Sequence, residues 1–298
     1  MKNIPLEKLF TRKLIFVGGK GGVGKTCVSQ AIALTLSEKK RVLWVGLEDP
    51  LKKPGELIAI KPTLFHLNCD PHVSFHEFIT IRLGSSPLTS LFLNNKIIHY
   101  LSEATPGFHD LVVMGKIWHE RNHYDHVIID MPSTGYGVAL FQSVLNFSRL
   151  FQGGPVHRDA LAMHEFFGDE KSTGHVIVAL PEEMPLREAL DLEKHLDTLF
   201  PKNPAAFVAN RLFPQPLTLA PFTDSDRKSE PHAPPYAKNA AEYADKRSVL
   251  ETQNLKLWEE KKLIFQKFPY IAPPLKQATE FVVKALAEVM GTLTRVQL

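Results

Sequence analysis

The chain has 298 residues, with 35 Lys and Arg against 32 Asp and Glu, so its formal net charge is +3. A 44% hydrophobic and 22% charged composition is that of a globular protein and excludes a disordered or collagen-like chain. Two cysteines, Cys27 and Cys69, exclude a disulfide framework and a four-cysteine zinc site, and a net charge of +3 gives no argument for nucleic acid as a partner.

Residues 1–13 carry no apolar signal region, and no stretch approaches the roughly 18 consecutive apolar residues of a membrane span. A cytoplasmic protein with no integral membrane span is expected. Short β-branched or aromatic runs then recur along the chain at residues 13–17, 41–45, 126–130, 175–180, 206–210 and 263–268. Most lack polar alternation, as strands buried on both faces do, and this predicts a mostly parallel sheet flanked by helices. Residues 24–39 fit a crossover helix, with Val28, Ala31, Ile32 and Leu36 at helical spacing. Residues 184–199 fit another, with Leu186, Leu190 and Leu196. Residues 279–296 place Val282, Leu286, Val289, Leu293 and Val296 on one stripe, expected to pack on the core rather than on a membrane, because Lys284 and Arg295 are its only cations. Residues 60–120 are expected to be mainly helical, and residues 213–236, with six prolines, to be a surface loop.

The sequence Gly19-Lys20-Gly21-Gly22-Val23-Gly24-Lys25-Thr26 fits G-x-x-x-x-G-K-[ST] between a predicted strand and a predicted helix, the context a P-loop requires. Glycines let the backbone N–H groups wrap phosphates, and the helix N-terminus adds partial positive charge. Lys25 suits neutralisation of β- and γ-phosphate, and the Thr26 hydroxyl suits Mg²⁺. Asp130 closes a buried apolar run and supplies the carboxylate that Mg²⁺ needs. It is followed by Met131, Pro132, Ser133, Thr134 and Gly135, and the Gly135 amide could sense a γ-phosphate. Asp49, after the second strand run, could orient or deprotonate water.

The extra lysine, Lys20, just after the first motif glycine, resembles the deviant P-loop of the MinD/ParA/ArsA class of ATPases. Asp49-Pro50 stands where that class has switch I, and residues 130–136 resemble its switch II. Residues 105–110, Asn68-Cys69-Asp70-Pro71, Pro181-Glu182, Asn210-Arg211 and Phe268-Pro269-Tyr270 extend the likeness over nearly the whole chain. The best match is to the ArsA-type ATPases, which include arsenite-pump ATPases and the ATPases that target tail-anchored membrane proteins.

The resemblance implies one P-loop ATPase domain over 1–298, with a helical insertion at about 60–120 plus 136–170 and the Pro-rich loop 213–236. It implies ATP and Mg²⁺ as cofactors, with nucleotide contacts along Gly19, Lys20, Gly21, Gly22, Val23, Gly24, Lys25, Thr26 and Cys27. Asn210 would face adenine, and Pro269 would lie in the last nucleotide-side loop. Asp49, Lys20 and Lys25 would serve catalysis, Lys20 by reaching across a dimer interface. Thr26 and Asp130 would hold the metal, and Pro132, Ser133, Thr134 and Gly135 would form switch II.

Departures from the family shape the expected output. Residues 213–247 contain no cysteine, so no zinc clasp is expected. Cys27 and Cys69 cannot supply a trigonal thiolate site in one chain. Switch I continues as Leu51-Lys52-Lys53-Pro54-Gly55 instead of the family's Ala-His. The insertion is rich in phenylalanine rather than methionine. His119-Glu120-Arg121-Asn122-His123 spells H-E-x-x-H, but it is read as a helix end rather than a zinc site.

The implied function is an ATP-hydrolysing dimerisation switch, homodimeric or paired with a paralogue, that serves a membrane-associated client or transporter. The alternatives are a nucleotide-gated module for hydrophobic protein segments and a MinD/ParA-like positioning switch.

Overall fold

The computed structural model describes residues 1–47, 52–83, 105–151, 153–213, 235–272, 274 and 278–295. Asp49, Pro50, Leu51 and nearly all of the Pro-rich segment 213–236 lie outside them.

Nine strands form one sheet among the described residues. They are β1 (Lys2–Asn3), β2 (Leu14–Gly19), β3 (Val42–Leu47), β4 (Leu57–Lys61), β5 (Leu64–Cys69), β6 (His126–Asp130), β7 (Thr173–Ala179), β8 (Pro204–Leu212) and β9 (Phe265–Pro269). The order is β1-β8-β7-β2-β6-β3-β5-β4, and β9 also pairs with β8. Every pairing is parallel except β4 with β5. The helices are α1 (Lys25–Leu36), α2 (Pro71–Leu83), α3 (Phe108–Glu120), α4 (Thr134–Leu150), α5 (Gly154–Gly168), α6 (Glu183–Leu199), α7 (Pro235–Glu260) and α8 (Ala278–Arg295).

The apolar strand runs do not alternate in polarity because both faces are covered. Leu14 and Phe16 join one core, with α3–α7 packed over it, while Ile15 and Val17 join the other, under α1 and α8. The result is a three-layer α/β/α arrangement, as the sequence predicts. The C-terminal helix packs along α1. Its buried stripe is Val283, Leu286 and Met290, with Val282 and Val289 at the margin, so the expected core packing holds but the stripe is rotated by about one residue.

The expected helical character of residues 60–120 is corrected at its start, because β4 and β5 form an antiparallel hairpin there. Leu64 to Cys69 extends the sheet beside β3, and Leu64, Leu67 and Cys69 are buried. An apolar run with two polar residues inside it, His66 and Asn68, fits either a short helix or a strand, and pairing with β3 decides for the strand. The helix α7 begins at Pro235, where the sequence suggests a loop. It is held by Trp258 Nε1 donating to Leu186 O (3.1 Å) and Asn254 Nδ2 donating to Pro181 O (3.1 Å). Among the described residues no helix is long and apolar enough to cross a membrane.

Candidate functional site

The C-terminal ends of β2, β3 and β6 lie side by side, because β6 pairs with both neighbours. This is the edge where open parallel sheets present ligand crevices. Val17 is opposite Asp130 in register, and the loop from β2 to α1 leaves the sheet from this same edge.

The loop's backbone explains its glycines. Gly19 has φ +148°, and a Cβ there would stand 2.2 Å from Val178 O on β7. Gly24, which caps α1, has φ +92°, and a Cβ would meet Asn210 Nδ2 at 2.5 Å. Lys25 is buried, and its Nζ donates to Lys20 O at 2.9 Å, so the side chain lies back along the loop that it closes. Burial lowers the Lys25 pKa, and Asp130 opposes that shift.

Thr26 Oγ1 donates to Asp130 Oδ2 at 2.6 Å, joining the first turn of α1 to the end of β6. The other carboxylate oxygen, Oδ1, is buried without a hydrogen-bond partner. Burial pushes the Asp130 carboxyl up to about 6, against the lowering effects of the Thr26 hydrogen bond, Lys25 and Lys52. An orphaned buried carboxylate oxygen beside a hydroxyl suits a hard divalent cation, which takes oxygen ligands. Among the described residues no group of three His, Cys, Asp or Glu side chains gathers, and a site completed by phosphate and water does not need one.

Residues 131–135 follow Asp130 across the same edge. Met131 N donates to Val17 O (3.0 Å), and Ser133 precedes α4, whose first residues are Thr134 and Gly135. Pro132 and Thr134 line a crevice with Gly18 and Gly19. Tyr136 Oη donates to Asp110 Oδ1 on α3 at 3.0 Å, so the start of α4 is wired to the insertion helices. Lys20 turns the other way: its Nζ lies 2.6 Å from Glu188 Oε1 on α6. Glu188 lines a shallow crevice with Thr134 and Gly135.

On the far side of α1, Cys27, Asn210 and Pro269 line one open pocket of about 310 Å³, together with Arg211, Tyr270 and Thr279. Asn210 is buried, and its Nδ2 donates to Val23 O at 2.9 Å, so its amide already braces the P-loop. Burial raises the Cys27 thiol pKa above its ordinary value, against the lowering effect of Arg211. Cys69 is buried and hydrogen-bonded to Ser74 at 3.5 Å, and burial pushes its thiol up to about 12. In the H-E-x-x-H stretch, Glu120 is ion-paired to Lys116 at 2.8 Å.

Three neighbours receive no role from the sequence. Glu188 has no motif around it. Arg211 follows the quoted Asn210 and could have been singled out with it. Lys52, in the stretch expected to continue switch I, lies 4.8 Å above the Trp44 ring and 3.2 Å from His66 Nε2. Asn68 Nδ2 donates to Lys52 O (3.2 Å) and Lys53 O (3.3 Å), which fixes the described end of switch I to β5.

Residues 12–153 match the family model described as anion-transporting ATPase. The chain is 24% identical over 208 residues to ATPase BagA of Mycobacterium tuberculosis, covering 62% of this chain and 61% of that protein. It is 31% identical over 137 residues to an ATPase ASNA1 homolog of Plasmodium chabaudi chabaudi, covering 42% and 35%. It is 28% identical over 137 residues to ATPase get3 of Schizosaccharomyces japonicus, covering 42% and 41%. The chain thus spans between about a third and three-fifths of the length of these curated relatives. That match lies over the P-loop strand, α1 and β6, and makes residues 12–153 similar to the ArsA-type anion-transporting ATPases.

Proposed function

We propose that the chain is a Mg²⁺-dependent ATPase whose nucleotide state drives dimer opening and closing, and so acts on a membrane-associated client or transporter. The observation that carries the reading is the Thr26–Asp130 hydrogen bond with the orphaned Asp130 Oδ1 beside it. Thr26 and Asp130 would hold Mg²⁺, which when bound spreads the charge of the β- and γ-phosphates. The P-loop amides and Lys25 bind and orient the triphosphate. Water attacks the γ-phosphorus as the bond to the ADP oxygen breaks, and Asp49 orients that water and takes its proton. The Gly135 amide reports the γ-phosphate to α4, and Tyr136 passes the change to α3 through Asp110.

Lys20 is expected to leave Glu188 and reach the nucleotide of a partner protomer, identical or paralogous. The test is the solution mass of the Asp49→Asn protein by light scattering. A dimer with Mg-ATP and a monomer with Mg-ADP support the switch. A mass that ignores the nucleotide contradicts nucleotide-gated association.

A specific observation favours the second reading, in which the switch gates a binding surface. An apolar groove of about 340 Å³ runs between α2, α3 and α5, lined by Phe108, Leu111, Val112, Trp118 and Met163 among others. It adjoins the helix that Tyr136 contacts, and a hydrophobic protein segment is the occupant that this lining suits. Crosslinking of a hydrophobic peptide to residues 75–167 only in the ATP state supports this reading, and crosslinking indifferent to nucleotide contradicts it.

A further inference from the structure

Arg211 has φ +60°, in the left-handed region that side chains other than glycine, asparagine and aspartate rarely adopt. It is one of two non-glycine residues with positive φ among the described residues, and the other, Lys262, sits in a surface turn. The conformation has a local cause. The β8–β9 register shifts between Ala209 and Leu212, and within that irregularity Asn210 turns inward to Val23 O while Arg211 turns outward. Pairing resumes at once, with Tyr270 N donating to Leu212 O (2.6 Å), and Phe213 stacks on Tyr270 at 4.8 Å with rings 4° apart. The strand is therefore anchored on both sides of a strained residue.

The strain aims the side chain. Arg211 Nε and Nη2 both lie 3.8 Å from where a Gly24 Cβ would be, and its charge acts on the Cys27 thiol. The guanidinium thus hangs over the first turn of α1. It is the one charged group among the described residues lining the 310 Å³ pocket, whose other walls are Cys27, Asn210, Pro269, Tyr270 and neutral residues of α8. No carboxylate pairs with it among the described residues. A strained cation with no carboxylate partner among the described residues, at the mouth of the pocket and beside a phosphate loop, fits an anion that arrives with the ligand.

We propose that Arg211 is a nucleotide-binding residue that contacts the phosphate nearest the base, the α-phosphate, while the neutral pocket takes the base and ribose. This deepens the ATP-site reading and rests on it. Lys25, Thr26 and Asp130 serve the opposite end of the triphosphate. Arg211 therefore adds binding energy common to ATP and ADP and contributes little to the chemical step, the pattern of uniform binding.

The test is calorimetric titration of Mg-ADP and a non-hydrolysable Mg-ATP analogue into wild type, Arg211→Gly and Arg211→Asn, with melting curves of each nucleotide-free protein. Glycine and asparagine both tolerate the backbone, so the fold is kept. Both variants are expected to bind the two nucleotides about tenfold more weakly, by the same factor, as loss of a charged hydrogen bond implies. Their melting temperatures should not fall below wild type, whereas a purely structural arginine would lower them. The salt dependence of ADP binding should flatten, and the KM for ATP should rise with the dissociation constants. Unchanged ADP affinity in both variants overturns the assignment, as does weakening confined to the ATP analogue. If folded wild type binds neither nucleotide, the ATP-site reading itself falls, and the assignment with it.

Discussion

The Thr26 hydroxyl and Asp130 Oδ2 are 2.6 Å apart, although 104 positions separate the two residues in the chain. Parallel pairing of β2 with β6 creates the contact, and burial makes the carboxylate costly to ionise. The carboxyl pKa in the fold, about 6, lies above the ordinary value of 3.8. The protonated form is favoured by folding, so this stabilisation is full below pH 4 and is lost as pH rises through 6. At pH 8 the ionised Asp130 should cost the nucleotide-free chain on the order of 2–3 kcal/mol. Asp130→Asn should therefore raise the melting temperature at pH 8 and much less at pH 4.5. A gain that does not depend on pH would contradict this origin. The same variant should remove the Mg²⁺ requirement for tight nucleotide binding.

The loop glycines should separate by what surrounds them. Gly22 has φ +83° with nothing within 4 Å of a Cβ, so Gly22→Ala should cost only backbone strain, about 1–2 kcal/mol. Gly19→Ala adds a collision with Val178 O on a central strand and should cost about 3 kcal/mol or more. Denaturant unfolding of the two variants checks the order, and equal losses would contradict the packing.

The Lys52 ammonium lies over Trp44, whose indole Nε1 donates to Ser29 Oγ at 3.0 Å, one turn beyond Thr26. Movement of switch I with nucleotide should shift Trp44 emission. Trp44→Phe should abolish that change although Trp118 and Trp258 remain. Asn68→Ala, which frees two switch I carbonyls, should destabilise the chain by about 1–3 kcal/mol, as loss of a buried donor does. A nucleotide-dependent signal that survives in Trp44→Phe would place the moving segment elsewhere.

Lys20 and Glu188 are both partly exposed, so their ion pair should contribute at most about 1 kcal/mol. Glu188→Gln should leave thermal stability nearly unchanged while lowering the ATP concentration needed for dimerisation, because Lys20 is no longer held within its own chain. Light scattering across an ATP titration reads this directly, and a curve that superimposes on wild type would mean the pair does not restrain Lys20.

Much of this was legible in the sequence because it is local or periodic. The six apolar runs predict six strands, and the glycine spacing predicts the loop that links β2 to α1. Asp130 stands out because it ends a run that only a doubly covered strand explains. The hairpin β4–β5 was hidden because Leu57, Ile58 and Ile60 are exposed on an edge strand, so their burial pattern carries no period. The roles of Glu188 and Arg211 were hidden for another reason. One is a single acid on an amphipathic helix, and the other depends on a backbone angle set by a sheet irregularity. Neither leaves a pattern within its own segment.

The most direct test of the central claim is phosphate release from ATP by wild type and Thr26→Ala across a Mg²⁺ titration, with nucleotide binding measured on the same samples. The account predicts release that requires Mg²⁺ in wild type and is lost in Thr26→Ala, while ADP still binds the loop. Wild type that is folded and neither binds nor hydrolyses ATP at any Mg²⁺ concentration would contradict it.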